Sequence, residues 1–209
     1  FVAFAAVSYT SYSQSLGYED LSTMFSRNDR NGSARFVAMG GAFGAVGGDV
    51  TAMTINPAGI SIVNDSNASI AFQSRSTDYL TTYYGNSTTT QQDFFKVSNA
   101  GVVFTFNNYT SDEWSKLAMG INYRVLADFE DTFIAKGTSS FASFDNFPLD
   151  NSENPLVYDI ADNQQLSNFY NGDISELSFA FSGVYEEKMH VGGGLNFYDL
   201  NFSHQTILR

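Results

Sequence analysis

Residues 115–126 read SKLAMGINYRVL, and the character of the side chain changes at every step. Leu117, Met119, Ile121, Tyr123 and Val125 fall on one parity; Lys116, Ala118, Gly120, Asn122 and Arg124 fall on the other. A period of two belongs to a β-strand with two unlike faces, one apolar and one polar and partly basic. The pattern recurs at Val102, Phe104 and Phe106, at Leu177, Phe179 and Phe181, and at Val191, Leu195 and Phe197. The last two strands meet at YEEKMH (185–190), which reads as a tight hairpin connection. Past Phe197 the phase slips, because Leu200 and Phe202 sit on the other parity; a bulge or a strand leaving a membrane would produce this.

Composition says what surrounds these strands. Of 209 residues, 16% are aromatic and only 15% charged, against about 25% charged in an ordinary soluble domain. No apolar run is long enough for a spanning helix, a test that leaves a transmembrane barrel open because its strands alternate apolar-out and polar-in. Several runs reach the roughly 9 to 11 residues of a tilted bilayer crossing. The connections alternate as well: YGNSTTTQQD (84–93) is a polar loop of middle size, NYTSDEWSK (108–116) is shorter, 138–175 is very long, and YEEKMH is short. A soluble sandwich would share the strand pattern, but the asymmetric connections favour a barrel with short turns on one side and long loops on the other. About five strands cannot close a barrel, so the chain is expected to be an N-terminal fragment or to assemble with others.

The net charge of −12 argues against nucleic acid, and the absence of cysteine removes disulfide and thiolate chemistry. FVAFAAVSYTSYSQ at the N-terminus resembles the end of a signal peptide, which places 1–14 as a residual leader with a mature start near Gln14 or Ser15. The long connection carries Asp145, Asp150, Glu153, Asp159, Asp162 and Asp173 among aromatic residues and no basic residue. It reads as a solvated loop over a barrel mouth, without the spacing of a calcium loop.

The segment from 15 to 65 is of another kind. GGAFGAVGGDVTAMTINPAG (40–59) is almost free of bulk. Gly41, Gly44 and Gly47 lie three apart with no following Lys, which excludes a phosphate-binding loop. A helix through Ala38, Gly41, Ala42 and Ala45 would present a thin, smooth surface suited to close backbone approach. Asp49 is placed to cap a turn at Val50. Asn56, Pro57 and Gly59 read as cap, first helical position and terminator of another.

GSARFVAMGGAFGAVGGDVTAMTINPAGI (32–60), preceded by LGYEDLSTMFSRNDRNG (16–32), resembles the N-terminal hatch of the FadL/TodX/OmpP1 family of outer-membrane transporters in its Bacteroidetes-type form. The resemblance rests on Met39-Gly40-Gly41-Ala42, the acid Asp49 and Asn56-Pro57-Ala58 in that order. It implies an all-β transmembrane antiparallel barrel of about fourteen strands, the first part of which is 66–209, with a small-residue helical hatch plugging its lumen. It also implies a monomer in the outer membrane of a Gram-negative bacterium, in contact with lipid and lipopolysaccharide. Such a barrel carries hydrophobic compounds, long-chain fatty acids or aromatic hydrocarbons, without a cofactor or metal. Gly40, Gly41, Asp49, Asn56, Pro57 and Ala58 are the expected gating residues. Phe36, Met39 and Phe43 are candidates to border the ligand, with Arg124 or Lys116 offsetting a carboxylate. In the competing reading the two phenylalanines only pack the plug and Arg124 pairs with an acid such as Asp49. PorV-type adaptors of type IX secretion resemble the same hatch, and a purely structural barrel is a further alternative. His190 and His204 lack a nucleophile or metal-ligand spacing, so no enzyme is expected.

Overall fold

Alternation does become strand. The computed structural model describes residues 17–27, 29–107, 113–140 and 161–209. The leader at 1–14 and the heart of the acidic connection, 141–160, lie outside the described residues. Among the described residues six strands form one antiparallel sheet: β1 (Asn67–Tyr83), β2 (Asn86–Asn107), β3 (Trp114–Asp128), β4 (Asp131–Gly137), β5 (Gln164–Tyr185) and β6 (Met189–Leu208). β5 carries both β3 and β4 on one edge and β6 on the other. The expected third strand is therefore present in two pieces, and the sheet is an up-and-down all-β meander. It is open, with β1 and β6 at its edges.

Three expectations about the strands are corrected. The polar stretch 84–93 is not a loop: Tyr84 and Gly85, both at positive φ, make a two-residue turn and β2 begins at Asn86. Its Thr residues are β-branched and suit a strand although they lack an apolar stripe. The long connection is shorter than 138–175, because β5 starts at Gln164 and already contains Phe169, Tyr170 and Asp173. Nor does β6 bulge after Phe197; it stays in register with β5 from Met189 to Leu208. Phe202 keeps the strand's phase and turns to the inner face, where it meets Phe25 and Phe129. The hairpin at 185–190 closes as expected, with Tyr185 opposite Met189.

The N-terminal segment packs against one face of this sheet, here called the inner face. It contains α1 (Tyr18–Phe25), α2 (Ala34–Ala38) and two 3-10 turns over Thr51–Thr54 and Pro57–Ile62. The small-residue run is not helical. α2 stops after one turn because Gly40 and Gly41 take φ of +62° and +77°, a region glycine enters without strain. Pro57 opens its turn as expected, but Gly59 lies inside that turn, and the Asn56 side chain does not cap it. It reaches back instead, donating Nδ2–H to the carbonyl of Gly44 at 3.1 Å.

Burial is inverted relative to a water-soluble sheet. On the inner face Asn99 is 0% exposed, and Asn122, Glu176 and Ser178 are each 1% exposed. On the opposite face the registered row Phe104, Met119, Phe181 is 49%, 42% and 58% exposed, and Leu195 on β6 is 64%. Val125 leaves this outer row for the interior at the register shift between Val125 and Ala127.

Candidate functional site

The inner face is a seat made from missing side chains. A Cβ added to Gly120 would lie 2.5 Å from Met53 Cε, one on Gly192 would lie 2.5 Å from the Ala58 nitrogen, and one on Gly194 would lie 3.3 Å from Pro57 Cγ. Val50, Met53 and Ile60 fill the space so left, packing on Val103, Ala118 and Ala180. Ser182 donates to the Ala58 carbonyl at 3.0 Å and Asn196 to the Thr54 carbonyl at 3.4 Å. Pro57 and Ala58 are thus held by β5 and β6 together.

Asp49 anchors a buried polar chain. Its carboxylate accepts from the Ser33 hydroxyl at 2.5 Å and from the Thr51 N–H at 2.8 Å, as an acid heading a turn should. Thr51 Oγ1 accepts from Ser33 N at 2.9 Å and donates to Asn99 Oδ1 at 3.3 Å. Asn99 then donates to Asn122 Oδ1 at 2.8 Å and to the Tyr123 carbonyl at 3.0 Å. The chain ties the segment to β2 and β3, and a connected network of this kind fixes one arrangement.

The candidate ligand residues come together only in part. Phe36 and Phe43 stack at 5.4 Å and are buried with Ala52. Met39 stands apart, 41% exposed. Arg124 lies over the Phe36 ring at 5.9 Å, but its charge is met by Glu176, an ion pair on neighbouring strands, and not by Asp49. Tyr198 donates to the other Glu176 oxygen at 3.1 Å. Lys116 donates to the Val63 carbonyl and to Asn64 Oδ1 at 3.3 and 2.8 Å. In this structure both cations have protein partners.

Sequence reasoning missed a second constellation. Past the hatch segment, a cavity of about 220 Å³ is lined by Met24, Arg27, Tyr79, Phe129, Asp131, Phe133 and Tyr170. Its walls are rings in contact: Phe133 with Tyr170 at 6.0 Å, Tyr79 with Phe133 at 6.0 Å, and Phe25 on Phe129 at 5.6 Å. Arg27 and Asp131 supply its polar end. The apparent phase slip at Leu200 and Phe202 was the available signal: the inner-face residues of β6 pass from Gly192 and Gly194 through Asn196 and Tyr198 to Leu200 and Phe202.

This cavity adjoins a break in the wall. β3 ends at Asp128 and β4 begins at Asp131, opposite Gly172, which takes a φ of +139°. β2 is paired with β3 only from Asn99 to Asn107; its earlier residues pair with β1 alone. The free edge of β4 meets side chains in place of a backbone ladder. Ile134 N–H donates to Thr90 Oγ1 at 3.1 Å, Thr81 Oγ1 donates to the Ile134 carbonyl at 2.6 Å, and Gln92 accepts from Thr132 N–H. Below this seam lies an ionic cluster. Fully buried Asp128 pairs with Lys96, and Arg75 stands 3.8 Å from Asp128 and 3.4 Å from Asp131.

No protein-family model, curated protein or solved structure matches this chain.

Proposed function

We propose that the chain is the hatch-bearing part of an outer-membrane β-barrel of the FadL/TodX/OmpP1 type, passing hydrophobic compounds across the outer membrane of a Gram-negative bacterium. Support for the membrane comes from the inverted sheet. The outer apolar band on β2, from Phe95 to Phe106, is ~36 Å long, or ~27 Å along the normal at a tilt of ~40°. That agrees with the apolar band of about 25 Å on such barrels. The open edges of β1 and β6 are where further strands would complete the wall.

The observation that carries transport is the aromatic cavity beside an unladdered seam. An apolar ligand entering from outside lodges its body against Phe129, Phe133 and Tyr170. A carboxylate on it takes the place of Asp29, 3.5 Å away, at Arg27. Side-chain hydrogen bonds across the seam exchange more readily than a β-ladder, so the seam is the sideways exit once the hatch shifts. A PorV-type adaptor or a structural barrel calls for a filled interior, which the cavity argues against. No catalytic part is assigned to His190, which contacts Ser61 at 2.8 Å, or to His204, which stacks on Tyr170.

The test is uptake of radiolabelled long-chain fatty acid and of a monoaromatic hydrocarbon by cells expressing the full-length protein. Phe133→Arg, which fills the cavity with charge, is compared with the unmutated protein. Uptake lost while the barrel still assembles supports the reading. Equal uptake by the variant removes it.

A further inference from the structure

β3 loses one neighbour before it ends. Its ladder with β2 stops at Arg124 opposite Asn99, leaving the edge from Leu126 to Asp128 without a β2 partner. Asp29 of the N-terminal segment occupies that edge. Its backbone N–H donates to the Leu126 carbonyl at 2.7 Å, and its carboxylate accepts from the Asp128 N–H at 3.3 Å. In a parallel ladder a residue whose N–H donates to the 126 carbonyl would accept the 128 N–H with its own carbonyl. Here the Asp29 carbonyl accepts from Asn31 N at 2.5 Å, and the carboxylate takes its place. A residue with an acceptor on its side chain is required at this point, and Asp29 supplies one. Just before it in the chain, Phe25 packs edge-on against Phe129 at 5.6 Å, and Arg27 lies 3.5 Å from the Asp29 carboxylate.

We propose that Asp29 is a positioning residue that couples the N-terminal segment to the break in the wall. It completes the edge of β3 just before the break, so withdrawal of the segment strips that edge of its hydrogen bonds. The seam between β4 and the β1–β2 hairpin then loosens with it. The coupling stands on the contacts above; its consequence for transport rests on the function proposed in the preceding section.

Residues 1–209 have no cysteine, so Thr132→Cys, with any cysteine elsewhere in the full-length protein replaced by serine, places a single thiol at the seam. Thr132 takes part there through its backbone N–H, which the substitution keeps. In full-length protein reconstituted into phospholipid vesicles, the rate of thiol labelling by a small lipid-soluble maleimide is measured with Asp29, Asp29→Asn and Asp29→Ala. Asp29→Ala is expected to raise the rate about fivefold, as loss of a bond worth about 1 kcal/mol would. Asp29→Asn, which retains a side-chain acceptor, is expected to stay near the parent rate. An unchanged rate in Asp29→Ala, with the barrel still folded by gel migration, overturns the coupling.

Hydrogen exchange on the protein with Asp29 intact gives a second measure that needs no variant to fold. Amides 126–128 should exchange together with 29–31; protection of the first group while the second exchanges freely also overturns the coupling. The two proposals fail differently. Labelling that responds to Asp29 in a protein that takes up no hydrophobic compound sinks transport and keeps the coupling. Uptake with labelling blind to Asp29 does the reverse.

Discussion

A Cβ placed on Gly47 would lie 2.3 Å from the carbonyl oxygen of Gly59. Gly47 lies near the middle of the small-residue run and Gly59 at its end, and the adjacent Gly48 N–H donates to that same carbonyl at 3.0 Å. The run is therefore folded back on itself, backbone against backbone, and Asn56 closes the same fold through its bond to Gly44. Its glycines answer two separate needs. Gly40, Gly41 and Gly48 supply positive φ, and Gly47 supplies the absence of a side chain.

Gly47→Ala is accordingly expected to destabilise the N-terminal segment by about 1–3 kcal/mol, the usual consequence of overpacking. Gly44 has nothing within 4 Å of an added Cβ, so Gly44→Ala should be close to neutral. Limited proteolysis of the segment in the folded protein reads both. Equal cleavage rates for the two variants would contradict the packing described.

Glu176 is 1% exposed at its side chain and Arg124 14%. Removing one partner of a buried ion pair leaves an uncompensated charge and typically costs about 3–5 kcal/mol. Glu176→Leu should therefore be strongly destabilising, and adding Arg124→Met to it should recover much of the loss. Urea unfolding of the four combinations gives the coupling; strict additivity would mean that the pair is not shielded from water.

On the outer face Met119→Arg is expected to oppose insertion by about 2–4 kcal/mol if it faces hydrocarbon near the bilayer midplane. Ser76, also exposed on the outer face but registered with Asp93 in a polar row, should accept Arg with little effect. Folding yields into phospholipid vesicles compare them. A soluble protein would fold as well or better with Arg at 119, and that result would end the membrane reading.

Asn99 is fully buried and serves Thr51, Asn122 and the Tyr123 carbonyl at once. Asn99→Ala strands those partners and should cost about 1–3 kcal/mol for each group left unsatisfied. Because the chain runs through Thr51 to Asp49, release of the N-terminal segment should accompany the loss of stability. Protease cleavage between 30 and 50 checks this, and a destabilised sheet with an unaltered segment would refute the link.

By itself the sequence determined the β-strands, their two faces, the hairpin at 185–190 and the division between a thin N-terminal segment and the sheet. These follow from local chemistry, since a period of two and the freedom of glycine are visible residue by residue. The same local rules misjudged the polar stretch 84–93, whose strand character comes from pairing with β1, and the small-residue run, read as helix because its spacing allows one. Only the tertiary structure decided that Phe36 and Phe43 pack on each other, that Arg124 belongs to Glu176, and that Phe129, Phe133 and Tyr170 line one cavity with Phe202 packed on two of their rings. Such contacts join residues from distant parts of the chain, and their energies depend on the register between strands and on what covers the inner face. No periodicity encodes where a strand breaks. The interruption at Phe129 and Glu130 lies opposite Gly172, at a φ of +139°, and beside the edge that β2 leaves open and Asp29 bonds.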